Sequence, residues 1–264
     1  MSFLLNPYVS GASPSELAVW DAGLLACYTG SGQTFAEKNG LTDYDLWLGG
    51  DGSSESTDPH FVGVAGTDST AEYFYSDGTG GGGSGDLFRQ KSSTGTAFQQ
   101  AMCMTDAAFT FYFMGRTAGQ TSWGIIGTDQ VKPGVGFNVS TGLLELNVSN
   151  ASTDYRVAIS SSLTVSTLEE TMLAVSYNET TGAGLFYKKT SAGVKTTESF
   201  SKRYSAIPMT PVATPQGGRL TIGVTQTQSG LGTWRLRRAG LIQGAATEAQ
   251  LDALWDAYHA RKLA

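Results

Sequence analysis

Residues 219–264 read RLTIGVTQTQSGLGTWRLRRAGLIQGAATEAQLDALWDAYHARKLA, a strand, a turn, a strand, a turn and a helix. In RLTIGV, Leu220, Ile222 and Val224 alternate with other residues, the period of two that suits a half-buried strand. WRLRRAGLI, from Trp234 to Ile242, resumes as a strand after the loop TQTQSGLGT. The helix is predicted over 247–262. Thr247 is placed to N-cap it, and Gln250 sits at N3, which completes a capping box. Leu251, Leu254, Trp255 and Tyr258 follow at i, i+3, i+4 and i+7 and form one apolar stripe. Arg261 and Lys262 suit the negative end of the helix dipole. A lone striped helix after so many strands must cover something, and the expectation is an open edge or end of a sheet.

Working outward, the strand signal is dense from Thr96 to Ile242. AFTFYFMG sets Phe109, Phe111 and Phe113 on one face and Thr110, Tyr112 and Met114 on the other. Trp123 to Ile126, Val135 to Val139 and Leu143 to Val148 follow, separated by Gly or Pro turns. MLAVSY then runs into the turn NETTGAG and the strand LFYKK, where Leu185 and Tyr187 are placed for cross-strand pairing. Nearer the start, YDLWL (Tyr44 to Leu48), His60 to Ala65 and Ala71 to Ser76 are further strands. Short strands spaced by turn signals imply an antiparallel sandwich or barrel. Neither an internal repeat nor a break between two domains is visible, so residues 15–264 are expected to form one β-sandwich domain behind an arm of residues 1–14.

Composition agrees. Charged residues make up only 15% of the 264, against a usual figure of about 25%, and glycine numbers 34. The net charge of −6 argues against nucleic acid or an anionic membrane as a partner, since phosphate binding needs a basic surface. No apolar run approaches the roughly 18 residues of a membrane span. MSFLLNPYVSG has no basic segment before its short apolar run, so it is not expected to be a signal peptide. Without one, the Asn-x-Ser/Thr sites at Asn138, Asn147, Asn150 and Asn178 carry little weight. Cys27 and Cys103 read as two buried thiols or as one bridge; the sequence does not bring them together.

The order of the pieces resembles the concanavalin A-like jelly-roll fold, and within it the laminin G-like group. The aromatic strand AFTFYFMG, the hairpin MLAVSYNETTGAGLFYKK, the strands RLTIG and WRLRRAGLI, and the closing helix ATEAQLDALW carry the likeness, over residues 96–262. It extends loosely back to residue 15 through LLACYTGSG and YDLWLGG. The opening MSFLLNPYVSG resembles the starts of bacteriophage virion proteins. Together these imply an all-β antiparallel sandwich with a C-terminal helix, in a protein that decorates a phage capsid. The alternative is a glycan-binding adhesin or fibre module that contacts host surface polysaccharide. The implied location is the virion, and the implied partners are capsid proteins, sister subunits in a homo-oligomer, or a host glycan.

The fold also hosts glycoside hydrolases, which need two carboxylates, about 5 Å apart in the retaining type. No Glu-x-Asp-x-Glu string occurs, and Glu169-Glu170 is adjacent, so its members point to opposite faces of a strand or mark a turn. The chain has neither a Gly-x-Ser-x-Gly elbow nor an HExxH pair, and its two histidines, His60 and His259, read as solvent-facing. The Gly-rich stretch Asp77 to Asp86 matches a dinucleotide fingerprint only formally, because no helix pattern follows it. An enzyme is therefore not expected, and neither is a cofactor. Calcium is the family's usual ion, but Asp43, Asp45, Asp51, Asp58, Asp77 and Asp86 show no defined ligand spacing. The contact candidates are Phe3, Leu4, Leu5 and Tyr8 of the arm and the basic group Arg235, Arg237 and Arg238. Arg235 and Arg237 are expected on one strand face opposite Leu236, either paired with carboxylates on their own sheet or touching a partner.

Overall fold

The computed structural model describes residues 16–21, 34–35, 46–49, 60–62, 73–76, 87–90, 108–117, 122–128, 134–149, 156–165, 169–178, 180–202, 220–223, 225 and 234–263. The early strands are β1 (Glu16–Asp21), β2 (Thr34–Phe35), β3 (Leu46–Gly49), β4 (His60–Val62), β5 (Tyr73–Ser76) and β6 (Leu87–Gln90). Next come β7 (Ala108–Thr117), β8 (Trp123–Thr128), β9 (Gly134–Ser140), β10 (Leu143–Ser149) and β11 (Arg156–Thr164). The last are β12 (Thr171–Asn178), β13 (Ala183–Thr190), β14 (Lys195–Ser201), β15 (Leu220–Ile222) and β16 (Trp234–Gln243), closed by helix α1 (Glu248–Leu263).

Among the described residues these strands form two antiparallel sheets of eight strands each. The first has the order β14-β13-β12-β7-β16-β5-β4, with β1 also paired to β16; the second runs β11-β10-β9-β8-β15-β6-β3-β2. Period-two patterning explains how they face each other. Phe109, Phe111, Phe113, Leu173, Val175 and Phe186 of the first sheet pack against Val135, Phe137, Val139, Leu144, Leu146 and Ile222 of the second. Each such side chain contributes roughly 1.5–3 kcal/mol when fully buried. One flank of the sandwich is pinned by hydrogen bonds. Glu198 of β14 accepts from the Ser162 amide at 2.7 Å and from its hydroxyl at 2.6 Å, and Lys188 donates to the Thr164 carbonyl at 2.7 Å.

The helix does not close an edge, as its isolated position at the chain's end suggested. It lies on the outer face of the first sheet. Leu251, Trp255 and Tyr258 pack there on Tyr112, Met114, Met172, Ala174, Tyr187 and Ile242. The sheet is apolar on both faces at this point, so the face needs a cover more than the edge does. The capping box forms: the Thr247 amide donates to Gln250 Oε1 at 2.9 Å, and the Gln250 amide to Thr247 Oγ1 at 3.3 Å. Lys189 and Lys195 fasten the helix from β13 and β14, each reaching Asp252, at 3.0 and 2.8 Å. Tyr187 donates to the same carboxylate at 2.9 Å.

Two local features set register. In the β9–β10 hairpin Thr141 and Gly142 both have positive φ, 50° and 82°, the geometry of a two-residue type I′ turn. That turn aligns Asn138 with Glu145 and Gly136 with Asn147. In β16 the pairing with β7 shifts between Leu236 and Arg238, so Arg237 is an extra, bulged residue. Glycine is required opposite: a Cβ on Gly115 would lie 2.0 Å from the Arg235 carbonyl oxygen.

Candidate functional site

Of the contact candidates, Phe3, Leu4, Leu5 and Tyr8 lie outside the described residues, as do Cys27, Cys103 and the Gly-rich stretch from Asp77 to Asp86. The basic group is described, and the bulge changes its geometry. Strict alternation would send Arg237 and Arg238 to opposite faces. The extra residue lets both serve the helix-covered side, where carboxylates meet them. Arg237 Nε lies 2.7 Å from Glu170 Oε1, and Tyr258 of the helix donates to that same oxygen at 2.7 Å. Arg238 Nη1 lies 2.9 Å from Asp21, Nη2 lies 2.8 Å from Glu16, and Nε donates to the Tyr112 hydroxyl at 3.1 Å. Tyr112 in turn donates to Glu16.

These groups are buried, and their ionisation follows. Desolvation, reinforced by Glu16, pushes Tyr112 well above its ordinary value; desolvation and Glu170 do the same to Tyr258. Burial works against the charge of Arg238, but Tyr112, Glu16 and Asp21 outweigh it. Arg237 and Arg238 are therefore committed to internal carboxylates, as the ion-pairing alternative expected, and present no open guanidinium to a partner. Arg235, on the same face, is partly exposed. Sequence reading missed Glu170, because an adjacent acidic pair at a predicted turn gave no sign that one member is buried just before β12.

The second sheet has a different outer face. Asn138 stands between the core residues Phe137 and Val139, Glu145 and Asn147 flank Leu146, and Thr221 stands between Leu220 and Ile222. Alternation therefore places these polar residues away from the core. Pairing aligns them into two cross-strand rows. One runs Ser160–Glu145–Asn138–Gly124. The other runs Asn147–Gly136–Gly127–Thr221 and reaches Arg89 by register. No large apolar residue occupies the described part of either row.

Hydrogen bonds hold these groups to one another. Thr225 donates to Asn138 Oδ1, and Asn138 Nδ2 donates to the Gly136 carbonyl at 3.4 Å. Asn147 donates to Glu145 Oε1, and Ser160 donates to Glu145 Oε2 at 3.3 Å. Exposure grows along this path. Asn138, Asn147, Thr221 and Thr225 are buried, Glu145 is half-buried and Ser160 exposed. The accessible margin is thus Glu145 and Ser160, at the β10–β11 end, with the buried Asn147 bonded to Glu145 behind them.

A carboxylate, an amide and a hydroxyl fixed side by side supply hydrogen-bond donors and acceptors. Among the described residues no group of three or more His, Cys, Asp and Glu is placed to hold a metal ion. The sequence signal for this face was present in GVGFNVS and LLELNVS, whose polar members alternate with core residues, but only strand register shows that they meet.

No family model matches the chain. No curated protein matches it either. Its fold is found among solved structures. A chain from a study of botulinum neurotoxin type C, whose cell entry depends on interaction with two ganglioside molecules, superposes with a TM-score of 0.56 at 12% identity, covering 92% of this chain and 51% of that one. The enzymatically active domain of tailspike protein 2 of bacteriophage CBA120 superposes with a TM-score of 0.50 at 10% identity, over 76% of this chain and 29% of that one. A weaker likeness, with a TM-score of 0.41 at 12% identity, reaches the NanB sialidase of Streptococcus pneumoniae over 56% of this chain and 24% of that one. The chain spans about half or less of each of these proteins, and at such identities what the first two share with it is the fold.

Proposed function

We propose that this chain is a non-enzymatic glycan-binding module of a bacteriophage particle, of the fibre or adhesin kind, and that it holds sugar at Glu145 and Ser160, backed by Asn147. The observation that carries the reading is the contrast between the two outer faces. On the first, α1 covers an apolar patch and the arginines are taken up in internal ion pairs, whereas the second bears ordered polar side chains that reach solvent at the β10–β11 margin. Sugar hydroxyls are recognised by such planar amides and carboxylates, whose orientation is set in advance. The sandwich shared with a toxin chain that depends on gangliosides and with a phage tailspike domain is compatible with this use, but function resides in sites and not in folds. The test is binding of the purified chain to immobilised bacterial surface polysaccharides, with released sugar measured in parallel. Retention without release is the expected result; release abolished by a carboxylate substitution would make the chain an enzyme.

Capsid decoration is the second reading, and one observation favours it. Strand β1 is fixed to β16 through Arg238, Asp21 and Glu16, so the segment before Glu16 starts from a rigid point on the sandwich flank opposite Ile242. An apolar arm attached there would be well placed to clasp a capsid. Co-sedimentation with phage heads, lost on removal of residues 1–14, is the outcome that would favour decoration over glycan binding.

A further inference from the structure

We infer that β14 is a docking edge and that it pairs antiparallel with β14 of a second copy of this chain, across a two-fold axis at Thr197. Self-pairing there does not depend on glycan binding. A strand at the end of a sheet offers unpaired backbone groups, and proteins blunt such edges with short strands, bulges, proline or charged side chains. Among the described residues the other edges are treated in this way. β4 and β2 have three and two residues. β1 carries a register shift beside Glu16. On β11, Glu198 takes up the Ser162 amide and Lys188 the Thr164 carbonyl. β14 has none of these devices. It runs seven residues without proline and in unbroken register with β13. Its two charged side chains are spent elsewhere, Lys195 on Glu248 and Asp252 of α1 at 2.6 and 2.8 Å, and Glu198 on Ser162.

Hydrogen bonds at both ends of the β13–β14 ladder fix which backbone groups look outward. The Thr190 amide donates to the Val194 carbonyl at 2.9 Å, and the Lys202 amide to the Gly182 carbonyl at 2.8 Å. Even-numbered residues of β14 therefore bond to β13, and the N–H and C=O groups of Lys195, Thr197, Ser199 and Ser201 point away from it. Lys195, Ser199 and Ser201 are exposed. Self-pairing is selective in register. Centred on Glu198, it would oppose two carboxylates, and like charges directly opposite are destabilising. Centred on Thr197, it opposes Lys195 to Ser199 and Thr196 to Glu198, and the outward pairs 195–199, 197–197 and 199–195 each exchange two backbone bonds. The same register sets Val194, the one large apolar side chain exposed among the described residues, opposite Phe200 of the second copy, which lies half-buried against the core. An axis normal to the sheet keeps like faces on one side, so the pair would present two Glu145 margins in one direction.

The experiment is sedimentation equilibrium of the full chain over a wide concentration range, on wild type and two variants. Wild type is expected to form a reversible dimer. Thr197→Pro removes an outward N–H and no bond to β13, at an edge position that tolerates proline. It loses both bonds at the axis, so it should raise the dimer dissociation constant by about tenfold or more with little change in melting temperature. Thr197→Cys tests the register without relying on affinity. Paired residues at the axis have Cα atoms about 5.5 Å apart, within reach of a disulfide. Mild oxidation should therefore give a covalent dimer that wild type, with Cys27 and Cys103, does not form. A wild-type chain that stays monomeric overturns this inference and leaves glycan binding untouched. A dimer that survives Thr197→Pro and is not linked in Thr197→Cys places the interface elsewhere and overturns it too. Loss of the dimer in Thr197→Pro without linkage in Thr197→Cys overturns the axis at Thr197.

Discussion

Asp21 Oδ2 lies 2.9 Å from Arg238 Nη1, and the carboxylate of Asp21 is fully buried. The pair ties the first strand of the sandwich to its last. Removing one partner of a buried pair leaves an uncompensated charge, which typically costs about 3–5 kcal/mol, whereas replacing the whole group by apolar residues is often nearly neutral. Arg238→Met should therefore lower the stability of the chain by that amount in urea unfolding. Adding Asp21→Leu and Glu16→Gln to it should restore a large part of the loss. A single variant as stable as wild type would mean that Asp21 finds another cation.

Tyr258 joins the helix to the same buried layer. Its hydroxyl donates to Glu170, which also holds Arg237. Tyr258→Phe keeps the ring against Trp255 but takes one donor from a buried carboxylate. The expected cost is about 1–3 kcal/mol, read as a shift in the urea midpoint with an unchanged slope.

The β9–β10 turn holds an avoidable strain. Thr141 is β-branched and sits at φ 50°, where Asn is far better tolerated. Thr141→Asn should stabilise the chain by about 0.5–2 kcal/mol. Because the turn also fixes the pairing of Asn138 with Glu145, an insertion of one glycine beside Gly142 should disturb glycan binding more than it disturbs the melting temperature.

Helix docking should weaken in acid. Partial burial pushes the carboxyl of Asp252 up, but bonds from Lys195, Lys189 and Tyr187 outweigh it and hold the group below its ordinary value. A carboxyl whose pKa falls on folding adds stability that is complete above its unfolded value and is lost as pH drops through the folded one. The contribution of Asp252 is thus full at neutral pH and fades below about pH 4. The stability difference between wild type and Asp252→Asn, followed by thermal melts across pH, should shrink over that range; a difference that persists unchanged would exclude this ionisation as its source.

Much of the sandwich was legible because period-two patterning is a local signal. The inward Phe109, Phe111 and Phe113, the capping box of Thr247 and Gln250, and the stripe Leu251, Leu254, Trp255 and Tyr258 all stand as the sequence arranged them. Strands β6 (LFRQ) and β14 (KTTESFS) were not, since β14 lies at a sheet edge and half of its residues are polar and exposed. The destination of the helix was hidden because a stripe says that something is covered, not what. The bulge at Arg237 was hidden because it depends on the close approach of Gly115 from another strand. The polar rows on the second sheet depend on register across five strands, which no single stretch of sequence encodes.

The most direct test of the glycan-binding account is an amide chemical-shift map of the chain titrated with a neutral oligosaccharide that it retains. The account predicts shifts clustered on β9, β10 and β11 around Asn138, Glu145, Asn147 and Ser160, and abolished by Asn147→Ala. Shifts confined to the helix-covered sheet, or none on those strands, would contradict it.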